Sequence, residues 1–324
     1  MSNNSVYSFM KYILLLLVLF ASFGLTVSAQ RDSVKSKISN ARYFGINYEN
    51  DYFTQTDEYY TQGIKLEAVG PVFRYSPIMW LLPYLKHTTI QYGLTAVQDC
   101  FTPTSISSDS ILRGDRPFAG YIYLGHTKTS FDYAKKQALT AEVDVGEIGQ
   151  CAECEAEQKE IHKYGNNIQP TGWQYQIGTG LYLNYKLRYE KAIYADTAID
   201  IDATGQISMG TVYDNALAGI TLHLGKMQSY FIGNHTSKFQ LYGIVQAWVE
   251  GVGYNGTLEG ALFTHNSIYT ISPKALTPIL FGDSYGVCLS YHKTSVTYSV
   301  THITNEFSTG VYHGWGHLNI NIYF

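Results

Sequence analysis

A glutamine and a histidine, Gln158 and His162, stand four residues apart in a polar stretch near the middle of the chain. The surrounding run, Ala152 to Lys163, is rich in Ala, Glu, Gln and Lys, a composition typical of a helix. On a helix, residues at this spacing point from the same face. A histidine with a polar neighbour can act as a general base. The sequence therefore predicts a short helix that presents one candidate base.

A second polar group, Asn50, Asp51 and Thr61, lies near the ends of predicted strands. Carboxylate and amide oxygens suit a hard cation such as Ca²⁺, which can polarise a carbonyl while a histidine activates water. No serine in a nucleophile elbow accompanies these residues, and the sequence lacks the zinc-binding H-E-x-x-H motif. The alternative for Asn50 and Asp51 is structural, because both residue types favour turns.

The four cysteines are Cys100, Cys151, Cys154 and Cys288. The pair Cys151 and Cys154 forms a C-x-x-C motif, but a zinc site would need further ligands at suitable spacing. A local disulfide or free thiols are the expectation for this motif.

The composition indicates the class of protein that must position these residues. Only 15% of the 324 residues are charged and 45% are hydrophobic, which is a low charge content for a soluble protein. The chain contains 29 Tyr, 29 Gly, 15 Phe and 4 Trp, an abundance of aromatic residues that fits the interfacial girdles of a membrane barrel. A net charge of -4 excludes a strongly basic surface, so a nucleic-acid partner is not expected.

The N-terminus has the order of a secretory signal peptide. Lys11 precedes the apolar run Tyr12 to Val27, and small residues lead to a predicted cleavage site after Ala29. An uncleaved anchor is the alternative, but the run is short for a membrane span. We therefore expect residues 1–29 to be a signal peptide and residues 30–324 to form one exported domain.

Alternating strands dominate the rest of the chain. Ile64, Leu66 and Ala68 share one face of a strand, and Lys65 and Glu67 share the other. An apolar outer face with a polar inner face is what a transmembrane barrel requires. The last strand alternates in the same way and ends in an aromatic residue, as the strands that close outer-membrane barrels do.

The predicted fold is all-β, an antiparallel transmembrane β-barrel of about twelve strands. The predicted strands begin at 43, 63, 89, 114, 138, 172, 195, 216, 238, 284, 294 and 313, and the segment Tyr254 to Pro278 is expected to be a loop.

Eight motifs together resemble the lipid A 3′-O-deacylase family. They are E-N-D-x-F (49–53), Y-T-x-G (60–63), Q-D (98–99), G-D-R-P-F-A-G-Y (114–121), G-x-I-G (146–149), Q-x-x-x-H (158–162), G-W-x-x-Q (172–176) and E-F (306–307). Each motif is short, but they follow one another in the family's order over essentially the whole mature chain.

The resemblance implies a calcium-dependent carboxylic ester hydrolase in the bacterial outer membrane. Its substrate would be the 3′-linked acyloxyacyl group of lipid A within lipopolysaccharide, and its helix would belong to an extracellular loop. By motif, His162 would be the base, Gln158 its neighbour, Asn50 and Asp51 the residues of the Ca²⁺ and oxyanion region, and Thr61 would lie beside them. Outer-membrane lipids would surround the barrel, and a monomer is expected.

Two other interpretations remain open. A phospholipase-like esterase would keep the chemistry and act on another acylated lipid. A small porin or scaffold barrel would keep the fold without the chemistry. Asp115 and Arg116 are expected to form a structural ion pair or a contact inside the barrel, and Trp173 is expected to pack the central loop or lie in the aromatic girdle.

Overall fold

The computed structural model describes residues 36–54, 58–229, 231, 239–263 and 266–324. The predicted signal peptide lies outside these residues. The strands are β1 (Lys37–Ile38), β2 (Tyr43–Asn50), β3 (Tyr59–Val69), β4 (Thr89–Thr102), β5 (Ala119–Asp132), β6 (Gln137–Ile148), β7 (Gly180–Ala195), β8 (Ile199–Gly210), β9 (Tyr213–Lys226), β10 (Phe239–Asn255), β11 (Ile279–Tyr291), β12 (Thr294–Ile303) and β13 (His313–Tyr323).

Twelve of these strands, β2 to β13, form a closed antiparallel barrel. Each strand pairs with its neighbour in the sequence, and β13 pairs with β2 to close the ring. Closure removes the sheet edges, so the backbone polar groups of the twelve strands are paired within the wall. The prediction of a twelve-stranded antiparallel barrel is confirmed.

The pair that closes the barrel shows the predicted alternation. Ile320 stands opposite Ile46, which is 41% exposed on the outer face of the wall. His317 stands opposite Glu49 on the inner face, and its Nδ1 lies 3.0 Å from the Glu49 carboxylate. Apolar pairs therefore face the lipid and polar pairs face the lumen.

The short strand β1 pairs in parallel with the start of β4. The pairing of β3 with β4 ends at Val69 and Gly93, so β3 does not reach the first residues of β4. There, the amide of Lys37 donates to the Thr88 carbonyl (2.8 Å) and the amide of Ser39 donates to the Ile90 carbonyl (2.8 Å). Strand β1 thus pairs with the edge of β4 that the shorter strand β3 leaves free.

The described residues form two α-helices, α1 (Cys154–Gly165) and α2 (Gly256–Glu259). Single 3-10 turns occupy Asp51–Thr54, Pro71–Tyr75, Pro77–Leu81, Gln150–Ala152, Trp173–Tyr175 and Pro273–Ala275. In the described part of the chain, none of the helices is long and apolar enough to span a membrane. Helix α1 begins two residues later than predicted, and α2 was not predicted.

Most of the long connections lie at the end of the barrel opposite the two termini of the wall. That end carries residues 51–58, 103–118, 149–179, 256–278 and 304–312 and the short turn 211–212. The other end carries the connections 70–88 and 227–238 and the short turns 133–136, 196–198 and 292–293. Long loops are extracellular in outer-membrane barrels and short turns are periplasmic. Helix α1 therefore belongs to an extracellular loop, as predicted.

Several predicted boundaries are wrong. Strand β5 begins at Ala119 and not at Gly114. Strand β7 begins at Gly180, eight residues after the predicted start at Gly172, because Trp173 enters a 3-10 turn and is fully buried. Strand β10 continues to Asn255 and so shortens the predicted loop, and β11 starts at Ile279, before its predicted start at 284. With 17 and 13 residues, both strands are longer than the about 9–11 residues that cross a bilayer.

Candidate active site

Helix α1 is tied to the barrel wall at its first residue. A disulfide links Cys154 to Cys100 on β4. Next to it, the Gln98 side chain donates to the Ala152 carbonyl at 2.6 Å. The expectation of a local disulfide is therefore wrong, because Cys154 pairs with a residue 54 positions away and Cys151 is a free thiol. The sequence alone gave no signal for this pairing, which depends on how the loop folds back over β4.

Gln158 fixes the inner face of the helix. Its side chain is buried, and its Oε1 accepts a hydrogen bond of 2.7 Å from the indole Nε1 of Trp173. Trp173 packs against Phe118 with 4.8 Å between the ring centroids. The indole thus packs the central loop, which was one of its two predicted places. The Nε2 of Gln158 is buried and has no hydrogen-bond partner among the described residues.

His162 lies one turn further along the same face and is partly exposed. Its Nδ1 is 2.6 Å from the carbonyl oxygen of Ile168. Helix α1 ends at Gly165, and the left-handed backbone of the next residue, Asn166 (φ 53°), turns the chain so that Ile168 comes back toward the helix. A carbonyl can only accept, so the neutral imidazole carries its proton on Nδ1 and leaves Nε2 as the acceptor.

Asn50 and Asp51 lie where β2 passes into the first extracellular loop. The Asn50 side chain accepts from the amide of Tyr52 at 2.8 Å and donates to the Tyr48 hydroxyl at 3.1 Å. Asp51 is buried at the first position of the 3-10 turn. The turn-forming role that was the structural alternative for Asn50 is therefore present. The side-chain amide oxygen of Asn50 has two lone pairs, and the hydrogen bond from Tyr52 uses one of them.

Thr61 lies on β3, beside a register shift between Tyr60 and Gln62 in the pairing with β4. Its hydroxyl is buried, 2.5 Å from the Thr102 hydroxyl at the end of β4. Bulges of this kind re-aim side chains at the rims of barrels. The threonine contact joins the extracellular ends of two neighbouring strands.

The helix and the β2 end lie close to each other. Both Glu157 on α1 and Asp51 lie near enough to the Tyr48 hydroxyl to interact with it electrostatically. Helix α1 and the turn that carries Asn50 and Asp51 thus lie at the same rim of the barrel. Glu157 neighbours Gln158 in the sequence but points from another face of the helix.

The donors at this rim match the chemistry of a hard cation. Asp51 offers a buried carboxylate, Asn50 an amide oxygen and Glu157 a second carboxylate at the same rim. Ca²⁺ takes six to eight oxygen ligands from carboxylates, carbonyls and water. These residues fit part of such a shell, and backbone carbonyls, water and substrate oxygens would have to supply the rest.

A buried ion pair supports the loops beside the site. Arg116 is 1% exposed, and its guanidinium contacts the Glu306 carboxylate and donates to Thr257 Oγ1 at 2.7 Å. The guanidinium also stacks over Phe101, 4.4 Å from the ring centroid. The structural role predicted for Arg116 is present, but its partner is Glu306. Asp115 instead accepts hydrogen bonds from Thr104.

The first and second extracellular loops also approach each other. Partial burial, and next the carboxylate of Asp115, raise the pKa of Glu58. A carboxylate interaction between residues of loops 51–58 and 103–118 places both loops over the same mouth.

The family model that describes the outer membrane protein LpxR matches residues 13–324. This chain belongs to the LpxR family. The family resemblance drawn from the eight motifs is confirmed, and with it the location in the outer membrane. The motifs that carry it, including Q-x-x-x-H and E-N-D-x-F, lie at the extracellular rim just described.

LpxR from Salmonella typhimurium shows the same fold, at 18% identity over 87% of this chain and 100% of that chain, with a TM-score of 0.71. The match to the β domain of the Bordetella autotransporter BrkA covers 88% of this chain and 99% of that chain, with 6% identity and a TM-score of 0.43. Among curated protein sequences, none matches this chain.

Proposed function

We propose that this LpxR-family barrel is an outer-membrane esterase that hydrolyses the 3′-linked acyloxyacyl group of lipid A, with His162 as its general base. The observation that carries the proposal is the 2.6 Å contact between His162 Nδ1 and the Ile168 carbonyl. It fixes both the tautomer and the direction of the ring, the two properties that a general base needs.

The reaction requires one water and one base. Nε2 of His162 takes a proton from the water, and the oxygen of that water attacks the ester carbonyl. The tetrahedral intermediate then expels the sugar oxygen, which receives the proton from Nε2. The products are a fatty acid and a free hydroxyl, and the imidazole returns to its starting form.

The other residues of the rim hold this arrangement in place. Gln158 fixes α1 through Trp173, and Thr61 joins the ends of β3 and β4 through Thr102. Asp51 and Asn50 would hold Ca²⁺. When bound, Ca²⁺ would supply positive charge next to the developing oxyanion.

The location of the site fits a lipid substrate. Helix α1 and the β2 end lie at the extracellular end of the barrel, the side on which the outer leaflet presents lipopolysaccharide. Apolar residues line the outer wall below this rim, including Phe44, Ile46 and Leu66. An acyl chain in the membrane can therefore lie along the wall while its ester reaches the rim.

Mass spectrometry of lipid A from a Gram-negative host that makes the protein tests the proposal. We expect loss of the 3′ acyloxyacyl mass with the intact protein, and no loss with His162→Ala or in membranes treated with a calcium chelator. Unchanged lipid A with a heat-modifiable barrel in the membrane would overturn it. Calcium-dependent cleavage of purified phospholipid by that same preparation would then favour another acylated lipid, and no cleavage at all would favour a porin or scaffold.

A further inference from the structure

A second polar cluster lies at the opposite, periplasmic end of the barrel. Asp200 and Asp202 are among the first four residues of β8, and His223 is among the last four of β9. Asp200 stands directly opposite His223 in the register of the two strands. Ten residues of strand, roughly 33 Å of extended chain, separate Asp200 from the extracellular end of β8. The cluster is therefore separate from the candidate active site.

These side chains point into the barrel. On β8 the odd-numbered Met209 is 64% exposed on the outer face, whereas Asp200 is 1% and Asp202 is 6% exposed. On β9 the outer face carries Ile220 and Leu224, which places His223 on the inner face. The two carboxyl groups and the imidazole thus share one patch of the lumen wall.

Each residue of the cluster has one buried polar atom that the described residues leave without a hydrogen bond. Oδ1 of Asp200, Oδ1 of Asp202 and Nδ1 of His223 are buried and have no hydrogen-bond partner among the described residues. Besides Asp200, the carboxylate of Glu190 also interacts electrostatically with Asp202 and His223. Oε1 of Glu190 accepts a hydrogen bond of 2.9 Å from Arg188. Burying carboxylates side by side is strongly unfavourable unless something compensates their charge.

The spacing of the donors suits one small ion. One ligand atom from each of the three residues lies within 4.8 Å of the others, and Asp202 Oδ2 is 3.5 Å from His223 Nδ1. In a tetrahedral site with bonds of about 2.1 Å, neighbouring ligand atoms are about 3.4 Å apart. Small side-chain rotations would bring all three atoms to one centre.

We propose that Asp200, Asp202 and His223 form a binding site for a divalent transition metal of the Zn²⁺ class. An imidazole nitrogen with two carboxylates matches the ligands of such ions, whereas Ca²⁺ and Mg²⁺ prefer oxygen ligands throughout. Three protein ligands leave one position for water. The ion neutralises the buried carboxylates and joins β8 to β9 at the periplasmic mouth.

Metal titration of the refolded full-length barrel in detergent tests this proposal. After removal of metals by a chelator, we expect one Co²⁺ to bind with the visible absorption of a tetrahedral site and one Zn²⁺ to displace it. We also expect Zn²⁺ to raise the Tm, because it binds the folded barrel. His223→Gln should weaken Zn²⁺ binding roughly 100-fold, since loss of a ligand costs at least as much as loss of an outer-shell partner.

A matched control comes from another Asp and His pair in neighbouring strands. Asp283 Oδ2 lies 3.4 Å from His302 Nδ1, but Asp283 is 53% exposed and belongs to none of the metal-ligand groups found among the described residues. Asp283→Asn with His302→Gln should leave Zn²⁺ affinity unchanged, as should His162→Ala at the extracellular rim. Heat-modifiable migration confirms that each variant is folded.

Two results would overturn the proposal. One is a wild-type barrel that binds no stoichiometric Zn²⁺ or Co²⁺. The other is an unchanged affinity in folded His223→Gln. A wild-type barrel that binds no metal, together with a higher Tm of Asp202→Asn, would indicate that the carboxyl groups of Asp200 and Asp202 share a proton instead.

Discussion

Nδ1 of His162 lies 2.6 Å from the carbonyl oxygen of Ile168, which follows the end of α1 in the same loop. The contact joins a helix residue to the segment that the left-handed Asn166 turns back. It holds the imidazole without using a carboxylate. The proposed base is therefore oriented by backbone alone, and its function should depend on the ring itself.

Replacing that ring should abolish hydrolysis without unfolding the barrel. Loss of a general base costs about 100-fold to 10,000-fold in rate, so we expect at least the lower figure for His162→Ala. Lipid A hydrolysis by equal amounts of heat-modifiable protein measures the effect. His302→Gln, on β12, should keep full activity. Equal rates for His162→Ala and the wild type would contradict the assignment.

The proposed calcium requirement should depend on Asp51. Asp51→Asn keeps the size of the side chain and removes one ligand charge, so the Ca²⁺ concentration for half-maximal activity should rise roughly ten-fold or more. Titration of activity with buffered Ca²⁺ measures the shift. Asp109→Asn changes an exposed carboxylate of the second extracellular loop and should not change the Ca²⁺ concentration for half-maximal activity. A shift in both variants would indicate a general charge effect.

Release of α1 from the wall should lower activity and expose the loop. The disulfide between Cys100 and Cys154 closes a sequence separation of 54 residues, for which the loop-entropy model gives up to about 4 kcal/mol. We expect the double Ser variant to be less stable, slower in hydrolysis and readily cleaved by protease near α1. Cys151→Ser leaves the disulfide intact, and its cleavage pattern should match the wild type.

The ion pair between Arg116 and Glu306 should contribute to stability. Arg116→Ala leaves a carboxylate in a largely buried place, which costs about 3–5 kcal/mol in the free energy of unfolding. Urea unfolding from lipid vesicles measures this loss. Arg113→Ala removes an exposed cation from the same loop and should change little. A small effect at Arg116 would mean that water reaches Glu306.

The free thiol near the helix should react slowly at neutral pH. Burial, and next the Glu147 carboxylate, raise the pKa of Cys151 to about 11. A raised thiol pKa means less thiolate below it, so at pH 8 only about one molecule in a thousand is reactive. Iodoacetamide labelling of the Cys151 peptide, followed by mass spectrometry, should rise about ten-fold per pH unit up to pH 11. Fast labelling at pH 7 would show a different environment.

The strands could be predicted from the sequence because their signal is local. The alternation of Ile64, Lys65 and Leu66 indicates which face of the strand contacts lipid, and it does not depend on which strand lies beside it. The ends of β10 and β11 were missed because both strands continue beyond the bilayer, where lipid no longer imposes the pattern. Trp173 was placed in a predicted strand because an isolated aromatic residue suits a strand as well as a packed turn.

The connections between distant residues could not be predicted in the same way. The pairing of Cys100 with Cys154 depends on how the loop crosses β4, and the Arg116 contact with Glu306 joins positions 190 residues apart. Neither contact produces a pattern in the sequence around the residues that form it. The motif order nevertheless identified the family, and the roles of His162, Asn50 and Asp51 in catalysis stay predictions.

The closure of the ring has a consequence for the biosynthesis of this protein. Asn50 stands opposite Gly316 in the pairing of β2 with β13, so the candidate site lies on the seam between the first and last strands of the barrel. The ribosome supplies the second half of that seam only at the end of synthesis, and this long-range pairing is the last to become available. The candidate site therefore forms only as the barrel closes. We therefore expect the proposed activity to arise only when the barrel assembles in the membrane that holds its proposed substrate.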